Sequence, residues 1–204
     1  MQIARADIIF FAVLIPSVIL HEVSHGWVAL MFGDDTAKRA GRLTLNPVAH
    51  VDPFGTIILP AILVLTTHSA FGYAKPVPVN VRQLRDPRNQ GVLVSLAGPA
   101  VNIVIAVGAA LVLRRIGLAG TDLVREVVFT AGYANAILAA FNLIPIPPLD
   151  GSAVIERLLP REWWPRYLQF RQYSFGILLL LVLLWRDGLT KFFVWVFHVW
   201  AHLL

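Results

Sequence analysis

Hydrophobic positions in this chain do not alternate with polar ones at a helical or strand period. They come in long unbroken runs separated by short charged patches. Ile8 to Phe32 is apolar apart from one His-Glu-His group near its end, and Gln90 to Leu113 and Val127 to Leu149 carry no charge at all. A fourth run, Gln172 to Trp185, is shorter. A last aromatic stretch, Phe192 to Leu204, follows the Arg186-Asp187-Gly188 break and suits either a half-span or an interfacial helix. A membrane-crossing helix needs about 20 apolar residues, so the pattern predicts an all-α, polytopic membrane protein of about 4–6 transmembrane helices. Phe54 to Leu65 is too short to cross simply and has Pro60 in its middle, so it reads as re-entrant. Gly41 to Pro47 alternates and suits a short strand. Ala74 to Asn80, with Pro76 and Pro78, suits an extended edge segment.

Composition sharpens this picture. Of 204 residues, 57% are hydrophobic and 14% charged; soluble domains carry about 25% charge. The length fits a single membrane-embedded domain, residues 1–204. The net charge of +5 would suggest nucleic acid in a soluble protein, but here the positive charges lie between apolar runs, as orientation signals do, and nucleic-acid binding is not expected. Arg5 precedes an apolar run with no small-residue cleavage site behind it, so the first segment reads as retained. Cysteine is absent, which excludes thiolate metal sites and leaves His, Asp and Glu as ligands.

Candidate chemistry centres on His21-Glu22-Val23-Ser24-His25. On a helix, residues four apart share a face, so both imidazoles can reach one metal, and Glu22 lies beside them to take a proton from water. Ionisable groups inside a span are costly and mark function. Zinc there would act as a Lewis acid toward a carbonyl. A third ligand is required. Asp34, Asp35 and Asp52 read as solvated loop charges. Asp150 ends the uncharged run in a stretch with Pro145, Pro147 and Pro148; it suits a ligand presented by unwound backbone, or an N-cap for a helix starting near Ser152. Asn102 reads as an interhelical hydrogen bond, with Gly98 allowing close approach. Asn142 suits equally an interhelical bond or an oxyanion partner. His50, in a Pro-bounded loop, reads as structural. His198 and His202, also four apart, read as interfacial.

His-Glu-x-x-His in the first span, Ala97-Gly98-Pro99-x-x-Asn102, and Asn142-x-x-Pro-x-Pro-x-Leu-Asp150-Gly151 together resemble the site-2 protease family of intramembrane zinc metalloproteases. Leu45-Asn46-Pro47-x-x-His50-x-Asp52-Pro53 and Lys75-Pro76-Val77-Pro78-Val79-Asn80 resemble its compact bacterial and archaeal branch, without PDZ or CBS domains. The resemblance runs from the first span through Gly151. It implies one zinc per chain held by His21, His25 and Asp150, with Glu22 as catalytic acid/base and Asn142 as a partner for substrate or oxyanion. It also implies hydrolysis of single-span membrane-protein substrates in the lipid bilayer of a prokaryotic inner membrane. Two rivals belong to other classes: an inactive membrane binding or assembly protein with a vestigial metal site, and a metal transporter. Glu22 argues against the first, and the single cluster of ionisable groups against the second.

The ligands must meet, so the C-terminal ends of the first and third long runs must lie on one side of the membrane, with one net crossing between them. Gln90 to Leu113 supplies it if Phe54 to Leu65 returns to its starting side. The basic residues then divide unequally. Those from Lys38 to Arg88 (seven) and from Arg157 to Arg171 (four) share one side, against Arg5, Arg114, Arg115 and Arg125 on the other. The positive-inside rule then places the N-terminus outside and the active site nearer the cytoplasm.

Overall fold

The computed structural model describes residues 5–58, 62, 74–116 and 121–204. Among these the regular structure is helical and no strand forms. The elements are α1 (Arg5–Met31), α2 (Thr36–Arg39), α3 (Pro87–Ile116), α4 (Asp122–Asn142), α5 (Ser152–Leu158), α6 (Trp164–Arg171), α7 (Ser174–Leu184) and α8 (Arg186–Ala201). Helices α1, α3 and α4 have 27, 30 and 21 residues, roughly 40, 45 and 32 Å at 1.5 Å per residue. Each can cross a bilayer core about 30 Å thick. The fourth run forms α7, which meets the preceding α6 at a 55° bend, and together they are long and apolar enough for one broken span.

Side-chain size is distributed as membrane solvation demands. The buried residues of the bundle are mostly small or polar, among them Ala106, Ala109, Ala110, Ala134, Ser17, Asn102 and Asn135, whereas Phe11, Val104, Leu111, Leu180 and Leu184 point outward. Lipid tails are as apolar as leucine, so helices gain little by hiding large side chains from them. They associate through close packing of small residues and through hydrogen bonds.

Contacts fix the helix directions. His21 meets Asn102, His25 meets Val94, and Asn102 meets Asn135 while Ser17 also meets Asn135. Thus α3 runs antiparallel to α1 and to α4, and the C-terminal ends of α1 and α4 lie together. Helix α8 packs against α3 and α4 through Trp200, whose Nε1 donates to the Ala106 carbonyl at 2.9 Å. A Cβ on Gly132 would stand 2.2 Å from the Trp200 ring. The last aromatic stretch therefore packs one face on α3 and α4, while Val194, Trp195 and Val199 stay exposed.

Helix α1 stops at a Schellman-type cap. Gly33 adopts φ +109°, and the N–H groups of Gly33 and Asp34 return to the carbonyls of Leu30 (3.1 Å) and Ala29 (2.9 Å). Asp34, expected as a solvated charge, is fully buried. It accepts from the Thr36 N–H (2.9 Å), the Thr36 hydroxyl (2.5 Å) and the Asn80 N–H (2.6 Å), tying the end of α1 to the segment leading into α3. Asp52 caps the wide turn Pro53–Ile58, accepting from Phe54 and Gly55. Half of the predicted re-entrant stretch, 59–61 and 63–65, lies outside the described residues. Its flanks are informative: the Lys75 N–H donates to the His50 carbonyl at 2.9 Å. His50 and Lys75 therefore lie side by side.

Two sequence expectations shift. Residues 43–45 and 77–79 form no ladder; the N–H groups of Lys75 and Val77 donate instead to the His50 carbonyl and the Glu22 carboxylate. Both segments pack on α1 at Gly26, where a Cβ would stand 2.5 Å from Leu43 and 2.9 Å from Val77. Helix α4 begins five residues before the uncharged run and ends at Asn142, seven before its close. The charged first turn is accommodated at the membrane edge, where Arg5 pairs with Glu126 at 2.9 Å. Pro145 stops the helix because the residue before a proline avoids the helical region.

Candidate metal centre

Three helices and one loop build the site. His21 and His25 project from one face of α1, about 9–15 Å before its C-terminal end. The chain after α4 folds back on itself, the Gly151 N–H donating to the Asn142 carbonyl at 2.7 Å. Gly151 is required there, since a Cβ would meet the Leu143 carbonyl oxygen at 2.2 Å. This loop turns Asp150 toward the two histidines. Asp150 does not cap α5, which has no side-chain cap.

Asp150 Oδ2 lies 3.0 Å from His21 Nε2 and 3.5 Å from His25 Nε2, and one ligand atom from each of the three residues lies within 4.8 Å of the others. Ligands about 2.0–2.1 Å from one tetrahedral zinc would stand roughly 3.4 Å apart.

Hydrogen bonds on the far sides of the imidazoles determine which atoms face inward. The Ala131 carbonyl can only accept, so Asn135 Nδ2 donates to it, at 2.8 Å, and also to Ser17 Oγ at 2.8 Å. Asn135 Oδ1 then accepts from Asn102 Nδ2 at 2.6 Å, and Asn102 Oδ1 accepts from His21 Nδ1 at 2.5 Å. His25 Nδ1 donates to the Val94 carbonyl at 2.7 Å. In the neutral imidazoles both Nε2 atoms are therefore lone pairs. Asp150 Oδ2 is buried and accepts no hydrogen bond. With neutral imidazoles, three electron-pair donors converge on one point. That arrangement is costly in a protein interior and is stabilised by a cation, so the residues present fit a metal ion. Gly98 completes the cradle: a Cβ there would stand 2.5–2.6 Å from both imidazoles. Gly98 thus gives room to the histidines more than to a helix backbone.

Glu22, between the histidines in sequence, accepts from the Val77 N–H at 2.9 Å. Asn142 lies at the last turn of α4, with Nδ2 donating to the Leu138 carbonyl at 2.9 Å. His50 is buried and its Nε2 bonds the Thr44 carbonyl at 2.8 Å, a loop-fixing role. His198 stands on α8 and His202 caps its C-terminal end, both outside the cluster. Asn135 and Ser17 escaped the sequence reading. The available signal was an asparagine in an uncharged span, the same that singled out Asn102.

Comparison with known proteins agrees with this geometry. The model of Peptidase family M50 matches residues 9–127 and 116–184. A Bacillus subtilis protein named "Putative zinc metalloprotease YwhC" is 40% identical over 207 residues, covering 91% of this chain and 90% of its own. A Mycolicibacterium smegmatis protein named "Putative zinc metalloprotease Rip2" is 32% identical over 87% of this chain and 66% of its own. A Methanocaldococcus jannaschii protein named "Zinc metalloprotease MJ0392" is 25% identical over 76% of this chain and 35% of its own. No solved structure matches significantly. A buried His-His-carboxylate cluster among apolar helices, on a chain matched by that family over most of its length, makes this protein a zinc metalloprotease of peptidase family M50, the site-2 protease family.

Proposed function

We propose that the chain is an intramembrane endopeptidase that hydrolyses peptide bonds of single-span membrane proteins, with one zinc held by His21, His25 and Asp150. The observation that carries this reading is the convergence of His21 Nε2, His25 Nε2 and an Asp150 carboxylate oxygen inside a bundle of apolar helices. When bound, zinc supplies Lewis acidity toward water and the scissile carbonyl. The rest falls to the protein. Glu22 accepts the proton of the attacking water and returns it to the leaving amine. The Val77 N–H holds Glu22 Oε2 in place, leaving the other oxygen for the proton. Asn102 and the Val94 carbonyl hold the imidazoles in the tautomer that presents Nε2. Asn142 is the candidate oxyanion donor; in that role its amide would exchange Leu138 for the substrate. A helical substrate must unwind locally, because its own hydrogen bonds otherwise shield the scissile carbonyl.

For orientation we propose the N-terminus outside and the metal nearer the cytoplasm of a prokaryotic inner membrane. Lys75, Arg42 and Arg39 cluster with the segments at the C-terminal end of α1. Arg5 and Arg114 lie at the other end, beside Glu126 and Leu204. The cleavage test is reconstitution with zinc and a panel of single-span substrates, comparing wild type with Glu22→Gln. Cleavage by wild type alone is expected; equal cleavage by both would exclude the assigned role of Glu22.

A further inference from the structure

Beside Asp150 lies a cleft of about 820 Å³, within the range of about 300–1,000 Å³ usual for ligand sites. Its inner end is formed by the Pro148–Asp150 loop. Its outer walls come from the start of α3, α5 and α6, and include Arg88, Arg157, Arg171, Glu156 and Trp164.

The charges in this wall do not balance. Glu156 is already satisfied, accepting from the Tyr167 hydroxyl at 2.7 Å and facing Arg171 Nη1 at 3.5 Å. The side-chain hydrogen bonds of Arg88 and Arg157 go to neutral acceptors, and Asp86 is the carboxylate that feels the charge of Arg157. Arg88 Nη2 donates to the Arg157 carbonyl at 3.1 Å, and Arg157 Nε to Asn89 Oδ1 at 2.7 Å. Among the described residues neither forms a salt bridge. Each guanidinium is positioned by one bond and retains further donors in a fixed fork. Such forks suit a carboxylate better than a point charge does.

We propose that Arg88 and Arg157 form a subsite for an acidic stretch of the substrate, binding a side-chain carboxylate near the scissile bond. The proposal rests on the peptidase reading above and names a specificity within it. A peptide is favoured over an anionic lipid headgroup because the inner end of the cleft is Asp150 itself. A chain lying in the cleft can reach from the two arginines to Asp150 of the cluster, where a resident lipid would obstruct the scissile chain.

The test uses the full-length Glu22→Gln protein with zinc, in nanodiscs of zwitterionic lipid, so that binding is read without turnover. The probes are fluorescent single-span peptides that differ only in one flank, carrying three Glu, three Gln or three Lys. The Glu peptide should bind about tenfold tighter than the Gln peptide, with the advantage shrinking as salt is raised. Arg88→Gln with Arg157→Gln should erase the difference, and the double Lys variant, which keeps the charge, should retain part of it. Zinc content verifies that each variant is folded. Equal affinity for Glu and Gln peptides would overturn the subsite. So would a preference that survives the double Gln substitution, or one that appears only when anionic lipid is added. Cleavage of the Gln peptide by the wild type reports separately on the peptidase reading.

Discussion

At the scale of single residues, the site depends on a line of uncharged polar groups running from Ser17 through Asn135 and Asn102 to His21. Its polarity is set by one helix carbonyl, that of Ala131. Asn102→Ala should therefore lower zinc affinity about 10–100-fold, the usual effect of losing a group that orients a ligand histidine, measurable by competition with a chelator. The two histidines of the cluster were legible in the sequence because HExxH is a local pattern on one helix face, whereas Asp150 joins them only through the fold. The line behind them was not legible, since it depends on how three helices are rotated about their axes, and no local period encodes that. Asp34 is a second case. Burial opposes its charge, but the Thr36 hydroxyl and N–H and the Asn80 N–H outweigh it and hold the carboxyl below the ordinary aspartate range. A depressed carboxyl stabilises the fold above its unfolded value, near 3.8, and that contribution is lost as pH falls through the lower, folded value. Asp34→Asn, which cannot accept from both neighbours, should cost about 1–3 kcal/mol in thermal unfolding at neutral pH. The gap between variant and wild type should close below about pH 4.

At the scale of elements, the segment 74–80 is the part the residue pattern misdescribed. Its two prolines suggested an extended edge segment. Its Val77 N–H is instead engaged by Glu22, and its side chain packs on Gly26 of α1. Strand formation needs a partner, and only the tertiary fold supplies one or withholds it. Val77→Pro removes that single N–H. A hydrogen bond to a charged group contributes about 1.5–3 kcal/mol, so kcat should fall about 10–100-fold with zinc content unchanged. A fall in both together would show that the segment supports the metal site and does not orient Glu22. The ends of α4 were blurred for a related reason. Hydropathy finds the uncharged stretch, but a helix begins where its cap lies, at Thr121, and stops before a proline.

At the scale of the whole molecule, the requirement that the ligands meet already implied one net crossing between α1 and α4. The bundle satisfies it, with α3 antiparallel to both and the flanks of the 51–74 excursion joined at His50 and Lys75. The absence of cysteine makes orientation directly measurable: single cysteines replacing Lys38 and Arg82 should both be labelled from the cytoplasmic face, and one replacing Arg5 from the opposite face. Labelling of Lys38 and Arg82 positions from different faces would contradict the topology. The central claim concerns the metal, and zinc X-ray absorption on the purified protein tests it most directly. The account predicts one zinc per chain with two imidazole nitrogens and a carboxylate oxygen in the first shell, one nitrogen fewer in His25→Ala and the carboxylate lost in Asp150→Ala. A zinc environment unchanged by either substitution would place the metal elsewhere and contradict it.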